Sequence, residues 1–194
     1  MIPIKNEREI DAMRQACKLT AAARALAGRM VRPGVTTRQI DKAVHDFIVS
    51  HGAKPSFLHY GGFPASTCIS VNETVIHGIP DHRVLREGDI VSVDVGAYYK
   101  GFHGDCAATY ACGEISPQAR KLIDVTKQSF FEGLKFAKQG CRISDIGHAV
   151  QTYVEANGFS VVRSFIGHGV GSCMKNRKSR ISGNPAEGPG LSAA

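Results

Sequence analysis

Ile90-Val-Ser-Val-Asp-Val-Gly96 and, after a short gap, Gly104-Asp-Cys-Ala-Ala-Thr109 are the segments on which the fold turns. The first alternates with period two, valines on one face and Ser92 and Asp94 on the other, as a half-buried strand does. The second reads as the returning strand and carries Asp105. A hairpin centred between Tyr99 and Lys100, with Gly101 in the turn, sets Asp94 directly opposite Asp105, their β-carbons ~4.5–5.5 Å apart. Carboxylates that close repel, and one takes up a proton unless a cation sits between them. Hard oxygen ligands on a rigid sheet suit a pair of divalent ions ~3.5–4 Å apart. On spacing alone, two solvated edge aspartates, or one aspartate displaced by a bulge, fit as well.

Outward from the hairpin the texture is helical on both sides. Residues 7–31 place Ile10, Met13, Cys17, Ala21 and Ala25 at helical spacing before Pro33-Gly34. A second helix is expected from Thr36, where Thr36-x-x-Gln39 is a capping box, burying Ile40, Val44, Phe47 and Ile48 and ending at Gly52. Thr67-Cys-Ile-Ser-Val71 is a further strand. Helical periodicity returns near 116–138 and 143–157. The short helices repeat each other: Gly34, Ile40, Ala43, Val44, Phe47, Ile48 and Gly52 match Gly140, Ile146, Ala149, Val150, Tyr153, Val154 and Gly158 at a constant offset of 106. The pattern implies one α+β unit used twice, each half of the sheet completing the other. A second unit of equal length would run past residue 194, so it is expected to be incomplete.

Composition sets the class. The chain has 194 residues, 43% hydrophobic and 21% charged, a globular balance. The charged N-terminus is unlike a signal peptide, and no run reaches the ~18 apolar residues of a membrane span. The six cysteines make no Cys-x-x-Cys, which suggests reduced, mostly core-filling thiols in a cytoplasmic protein. Of the net charge of +7, four charges lie at Lys175, Arg177, Lys178 and Arg180. Without that cluster about +3 remains, an ordinary value that points to no specific nucleic-acid partner.

Two glycine-rich segments carry histidines. Ser160 to Ile166 reads as a buried strand feeding Gly167-His-Gly-Val-Gly171, whose glycines leave the His168 imidazole uncovered. His77 lies in Val75-Ile-His-Gly-Ile-Pro80. Taken alone, each reads more readily as a loop histidine than as a functional one.

Taken in order, five segments resemble the type I methionine aminopeptidases. They are Gly62-Phe-Pro-Ala-Ser-Thr-Cys-Ile-Ser-Val-Asn72, Val75–Pro80, Glu87-Gly-Asp-Ile-Val-Ser-Val-Asp-Val-Gly96, Gly101-Phe-His-Gly-Asp105 and Gly167–Gly171. The resemblance covers residues 3–172. It implies the pita-bread fold with internal pseudo-twofold symmetry, here a single catalytic domain over 1–194. It also implies hydrolysis of N-terminal Met-X bonds with a small second residue. Two divalent ions (Co, Mn, Fe, Zn or Ni) would be the cofactors. The family's five metal ligands are two Asp, one His and two Glu, of which Asp94, Asp105 and His168 match the first three. His77 would touch the substrate near the scissile amide, and Tyr60, Phe63 and Cys68 would line the methionine pocket. The implied partners are nascent polypeptides with N-terminal methionine at the ribosome, and the implied state is a monomer. A non-catalytic pita-bread protein that binds a partner is the alternative. Retention of Asp94, Asp105, His168 and His77 favours the enzyme.

The resemblance breaks at residues 173–194. The family continues with a segment like His-Glu-Glu-Pro-x-x-Pro-Asn-Phe, whereas here Lys175 stands at the histidine's place. Allowed codons for Cys173 to Ser182, read from the third base of the Cys173 codon, spell His-Glu-Glu-Pro-Glu-Ile-Pro-Asn-Phe. A local frame slip over 173–182, followed by early termination, accounts for the basic cluster; Gly183-Asn-Pro-Ala-Glu-Gly-Pro-Gly-Leu191 does not read as the family in that frame and is left unassigned. No segment after His168 matches either family glutamate, so weak metal binding and no measurable peptidase activity are expected of this chain.

Overall fold

Asn6 opens α1 (Glu7–Met30) with a reciprocal capping box: the Glu9 N–H donates to its side chain, and Glu9 accepts the Asn6 N–H. The buried face is Ala16, Thr20, Ala23 and Ala27. The expected stripe through Ile10, Cys17 and Ala21 is not the buried one, since Ile10 is 44% exposed. The cause is close approach. A β-carbon on Gly104 of the sheet would lie 2.4 Å from Thr20 Oγ1 and 2.7 Å from the Ala16 carbonyl oxygen, so only small residues fit this contact.

α2 (Thr37–Ser50) starts at the capping box Thr36–Gln39 and buries Thr37, Ile40, Val44 and Ile48, with Phe47 partly covered. The sheet follows: β1 (Lys54–Pro55), β2 (Thr67–Val71), β3 (Ile90–Tyr99) and β4 (Phe102–Ala111). β3 is central, pairing antiparallel with β1 and β2 along one edge and with β4 along the other. Val91, Val93, Val95 and Ala97 are fully buried and form one core with Ile40, Val44, Ile48 and Ile69. The opposite face carries Cys68 and Ser70 of β2, Ser92 and Asp94 of β3, and His103, Asp105 and Thr109 of β4.

The hairpin turn is Lys100-Gly101, both at positive φ (51° and 86°), as a type I′ turn requires. Tyr99 therefore pairs with Phe102, Asp94 faces Ala107, and Gly96 faces Asp105. The direct opposition of Asp94 and Asp105 is corrected to a diagonal one on the same face.

α3 (Pro117–Leu134) and α4 (Ile143–Ala156) pack on each other in a second unit, Pro117–Gly169. The first unit comprises the residues up to Ser116 with Val170–Met174. Residues 160–165 form no strand, and Val162 and Phe165 are exposed, because no described segment supplies a ladder there. β5 (Gly167–His168) pairs with β6 (Arg180–Ile181). The computed structural model describes residues 4–165, 167–174 and 180–181. The frame-slip reading covers 173–182, of which 175–179 and 182 lie outside the described residues. Among the described cysteines none is bridged; Cys68 and Cys112 are buried while Cys17 and Cys173 are exposed, so core filling holds for a minority.

Candidate functional site

Strand alternation assembles the site face. Cys68 pairs with Asp94 and Ser70 with Ser92 across β2–β3, and Ser92 with Thr109 across β3–β4. These residues, with Asp105, point away from the helix-covered core. Ser92 Oγ and Thr109 Oγ1 are 2.7 Å apart, satisfying each other below the acidic pair.

Asp94 and Asp105 lie close enough for the charge of one to act on the carboxyl of the other. Two carboxyls this near do not both ionise freely, so one of them tends to keep its proton. Burial, then the neighbouring Asp105 charge, push the Asp94 carboxyl well above the usual carboxylate range. The pair has the chemistry of a divalent-cation ligand: two oxygen donors fixed on adjacent strands, holding a proton that a cation would displace. The residues present thus fit a metal in donor type. Among the described residues no three His, Cys, Asp or Glu side chains gather into a metal cage. His168 lies in the second unit, exposed, its Nδ1 3.4 Å from the Gly169 carbonyl oxygen.

Beside Asp94 lies a small apolar cluster. Cys68 (6% exposed) packs with Phe57 and Met174, flanked by Phe63 and Val170. Burial, then the charges of Asp94, Asp105 and Asp41, push the Cys68 thiol up to about 12. Tyr60 stands 46% exposed in the short 3-10 turn Tyr60–Gly62. Two of the three expected pocket residues are therefore clustered. Phe57 and Met174 were missed, Met174 because it follows the last matching segment.

His77 is exposed and holds φ at 57°, a left-handed conformation uncommon for a side-chain-bearing residue. Its loop is docked on β2: the Gly78 N–H donates to Ser70 Oγ (3.1 Å), and the Ile69 N–H to the Gly78 oxygen (2.8 Å). His103 is a further residue that spacing did not single out. Its N–H donates to the Gly171 oxygen at 2.8 Å and its Nδ1 lies 2.8 Å from Ser56 Oγ, tying the end of the glycine-rich segment to the hairpin.

Comparison with known proteins identifies the family. The chain is 52% identical over 193 residues to a methionine aminopeptidase of Clostridium acetobutylicum, covering 98% of this chain and 77% of that protein. It is 46% identical over 192 residues to methionine aminopeptidase 1 of Bacillus subtilis, covering 98% and 77%. The crystal structure of methionine aminopeptidase from Rickettsia prowazekii superposes with a TM-score of 0.91 at 38% identity, covering 98% of this chain and 77% of that one. Prolidase from Pyrococcus furiosus, at 23% identity and a TM-score of 0.81, covering 92% and 52%, shares the fold. The model of metallopeptidase family M24 matches residues 11–190. With the repeated helices and the acidic hairpin in place, the chain belongs to metallopeptidase family M24, with its α+β pita-bread fold.

Proposed function

We propose that the chain derives from an enzyme removing N-terminal methionine from nascent polypeptides, acting on Met-X bonds with a small second residue. The acidic pair carries this reading: Asp94 and Asp105 would hold the metal, with His168 as a third ligand. Bound divalent ions, of the Co, Mn, Fe, Zn or Ni type, supply Lewis-acid polarisation of the scissile carbonyl and acidification of water. The chain's own residues do the rest. Cys68 and Phe63, with Tyr60 at the rim, offer an apolar slot for the methionine side chain, and His77 donates to the substrate near the scissile amide. Its left-handed backbone presents the ring from a loop pinned to β2, so little reorganisation is needed on binding. No described helix is long and apolar enough to cross a membrane. The proposed setting is cytoplasmic and monomeric, at the ribosome.

The test on this chain is titration with Mn²⁺ or Co²⁺ followed by calorimetry, beside Asp94→Asn. Binding that survives the substitution overturns Asp94 as a ligand. Turnover of a Met-Ala peptide by these 194 residues is expected below detection, because Lys175 stands where the family has a histidine. A metal-dependent rate comparable to that of the Clostridium acetobutylicum enzyme would overturn that expectation.

A further inference from the structure

We infer that α2 is the positioning element of the site, its stripe Thr37–Asp41–His45 gripping from behind both segments assigned to the substrate. Asp41 is the central residue.

These three residues are spaced by four, so they line one side of the helix next to the apolar stripe Ile40–Val44–Ile48. Asp41 and His45 reach the start of β2, and Thr37 reaches the segment 81–83. The Ser66 N–H (3.0 Å), the Thr67 N–H (2.8 Å) and the Thr67 hydroxyl (2.7 Å) all donate to one oxygen, Asp41 Oδ1. His45 Nδ1 lies 2.8 Å from Ser66 Oγ. The strand entering the pocket at Cys68 is therefore held at the two residues before it. Thr67 is fully buried, so the charge-assisted bonds reach it out of water, where they are strongest. At the helix start, the Thr37 N–H donates to the Arg83 oxygen (3.1 Å) and the Arg38 N–H to the Asp81 oxygen (2.9 Å). Thr37 Oγ1 accepts the Asp81 N–H (2.9 Å) and donates to the Asp81 oxygen (3.1 Å). These bonds satisfy helix donors that would otherwise be orphaned and fix the far end of the His77 loop. Through the Cys68–Asp94 pairing, the clamp on β2 also bears on the acidic residue beside it.

The assignment of Cys68 and His77 to substrate rests on the function proposed above, and the clamp can be tested apart from it. The experiment is hydrogen–deuterium exchange of the 194-residue protein and its Asp41→Ala, Asp41→Asn and Asp46→Ala variants, read by mass spectrometry. Asp46 shares the helix but, among the described residues, pairs only with Lys42 at the surface. Asp41→Ala is expected to speed exchange over 64–70 by at least about tenfold while 91–95 is unchanged. Asp41→Asn, which keeps an oxygen acceptor, should recover most of the protection, and Asp46→Ala should match the parent. Parallel loosening of 64–70 and 91–95 would make Asp41 a general stability residue and overturn the inference, as would no change in either. Calorimetry with L-methioninamide is the second arm. Weaker binding in Asp41→Ala but not in Asp46→Ala supports positioning of the pocket, and equal binding overturns it. No binding by the parent defeats the substrate reading, and the exchange result then decides the clamp by itself.

Discussion

α2 and α4 are the same helix written twice. Thr37–Ser50 and Ile143–Ala156 have 14 residues each, their bounds differing by the offset of 106 found in the sequence. The residues before them, Thr36 and Arg142, have φ/ψ of −89°/152° and −95°/158°, and the glycines further upstream, Gly34 and Gly140, have φ of 89° and 88°. In both, the third helical residue takes the cap N–H: Gln39 at 2.8 Å and Asp145 at 2.7 Å. What differs is what each helix meets. Ile40, Val44 and Ile48 are fully buried against the sheet, whereas Ile146 and Val150 are half-buried and only Val154 is buried. The gripping stripe Thr37–Asp41–His45 corresponds to Ile143, Gly147 and Gln151. Backbone and apolar stripe belong to the repeat, and the polar stripe to the first copy alone.

That contrast can be broken at several levels. Ile40→Ala should destabilise by about 3–4 kcal/mol and Ile146→Ala by about 1 kcal/mol, since the cost follows the cavity left in packed surroundings. Equal losses in denaturant melts would show the copies equally packed.

If the chemistry belongs to the first copy, Asp94→Asn should weaken Mn²⁺ binding by about a hundredfold while raising the metal-free Tm by roughly 2–4 °C at neutral pH. The sign follows from the raised Asp94 pKa. Above the ordinary carboxylate range the folded state holds a proton that the unfolded chain has released. Metal-free stability should therefore fall as pH rises from that range towards neutrality. A Tm unchanged across this window would show that Asp94 keeps no extra proton in the folded state.

Gly34→Ala and Gly140→Ala should each cost about 1 kcal/mol, because each holds positive φ and neither has an atom within 4 Å of the added carbon. Unequal costs would separate the two backbones. The smallest contrast is at the caps: Thr36→Ala should cost about 1 kcal/mol and Arg142→Ala within about 0.5, since only Thr36 caps with its own side chain.

The features legible in the sequence were local ones. The capping box at Thr36 and the alternation in β3 need only neighbouring residues, and the repeat needs only a constant offset; these were found where expected, while the box at Asn6 was not read from the sequence. The hairpin was centred one residue too early. Moving the centre by one residue shifts every pair by two, so faces are kept and partners change; Asp94 and Asp105 stayed together for that reason. The buried face of α1 was missed because hydrophobicity favours Ile10 and Met13, while the close contact at Gly104 selects Ala16 and Thr20. The grip of Asp41 on Ser66 and Thr67 spans about 25 residues and has no periodic signature, so it becomes visible only in three dimensions.

The two-residue turn at Lys100-Gly101 also bears on the order of folding. β3 and β4 meet with almost no loop to close, on the ~1–10 μs scale of an isolated hairpin. β2 must first close the stretch from Val71 to Ile90 before it reaches β3. The two acidic residues should thus come together early, and Cys68 should arrive beside them later. Pulse-labelling exchange during refolding should protect 91–99 and 102–110 ahead of 67–71. Simultaneous protection of all three strands would mean that they condense in one step, with no acidic hairpin preceding its pocket.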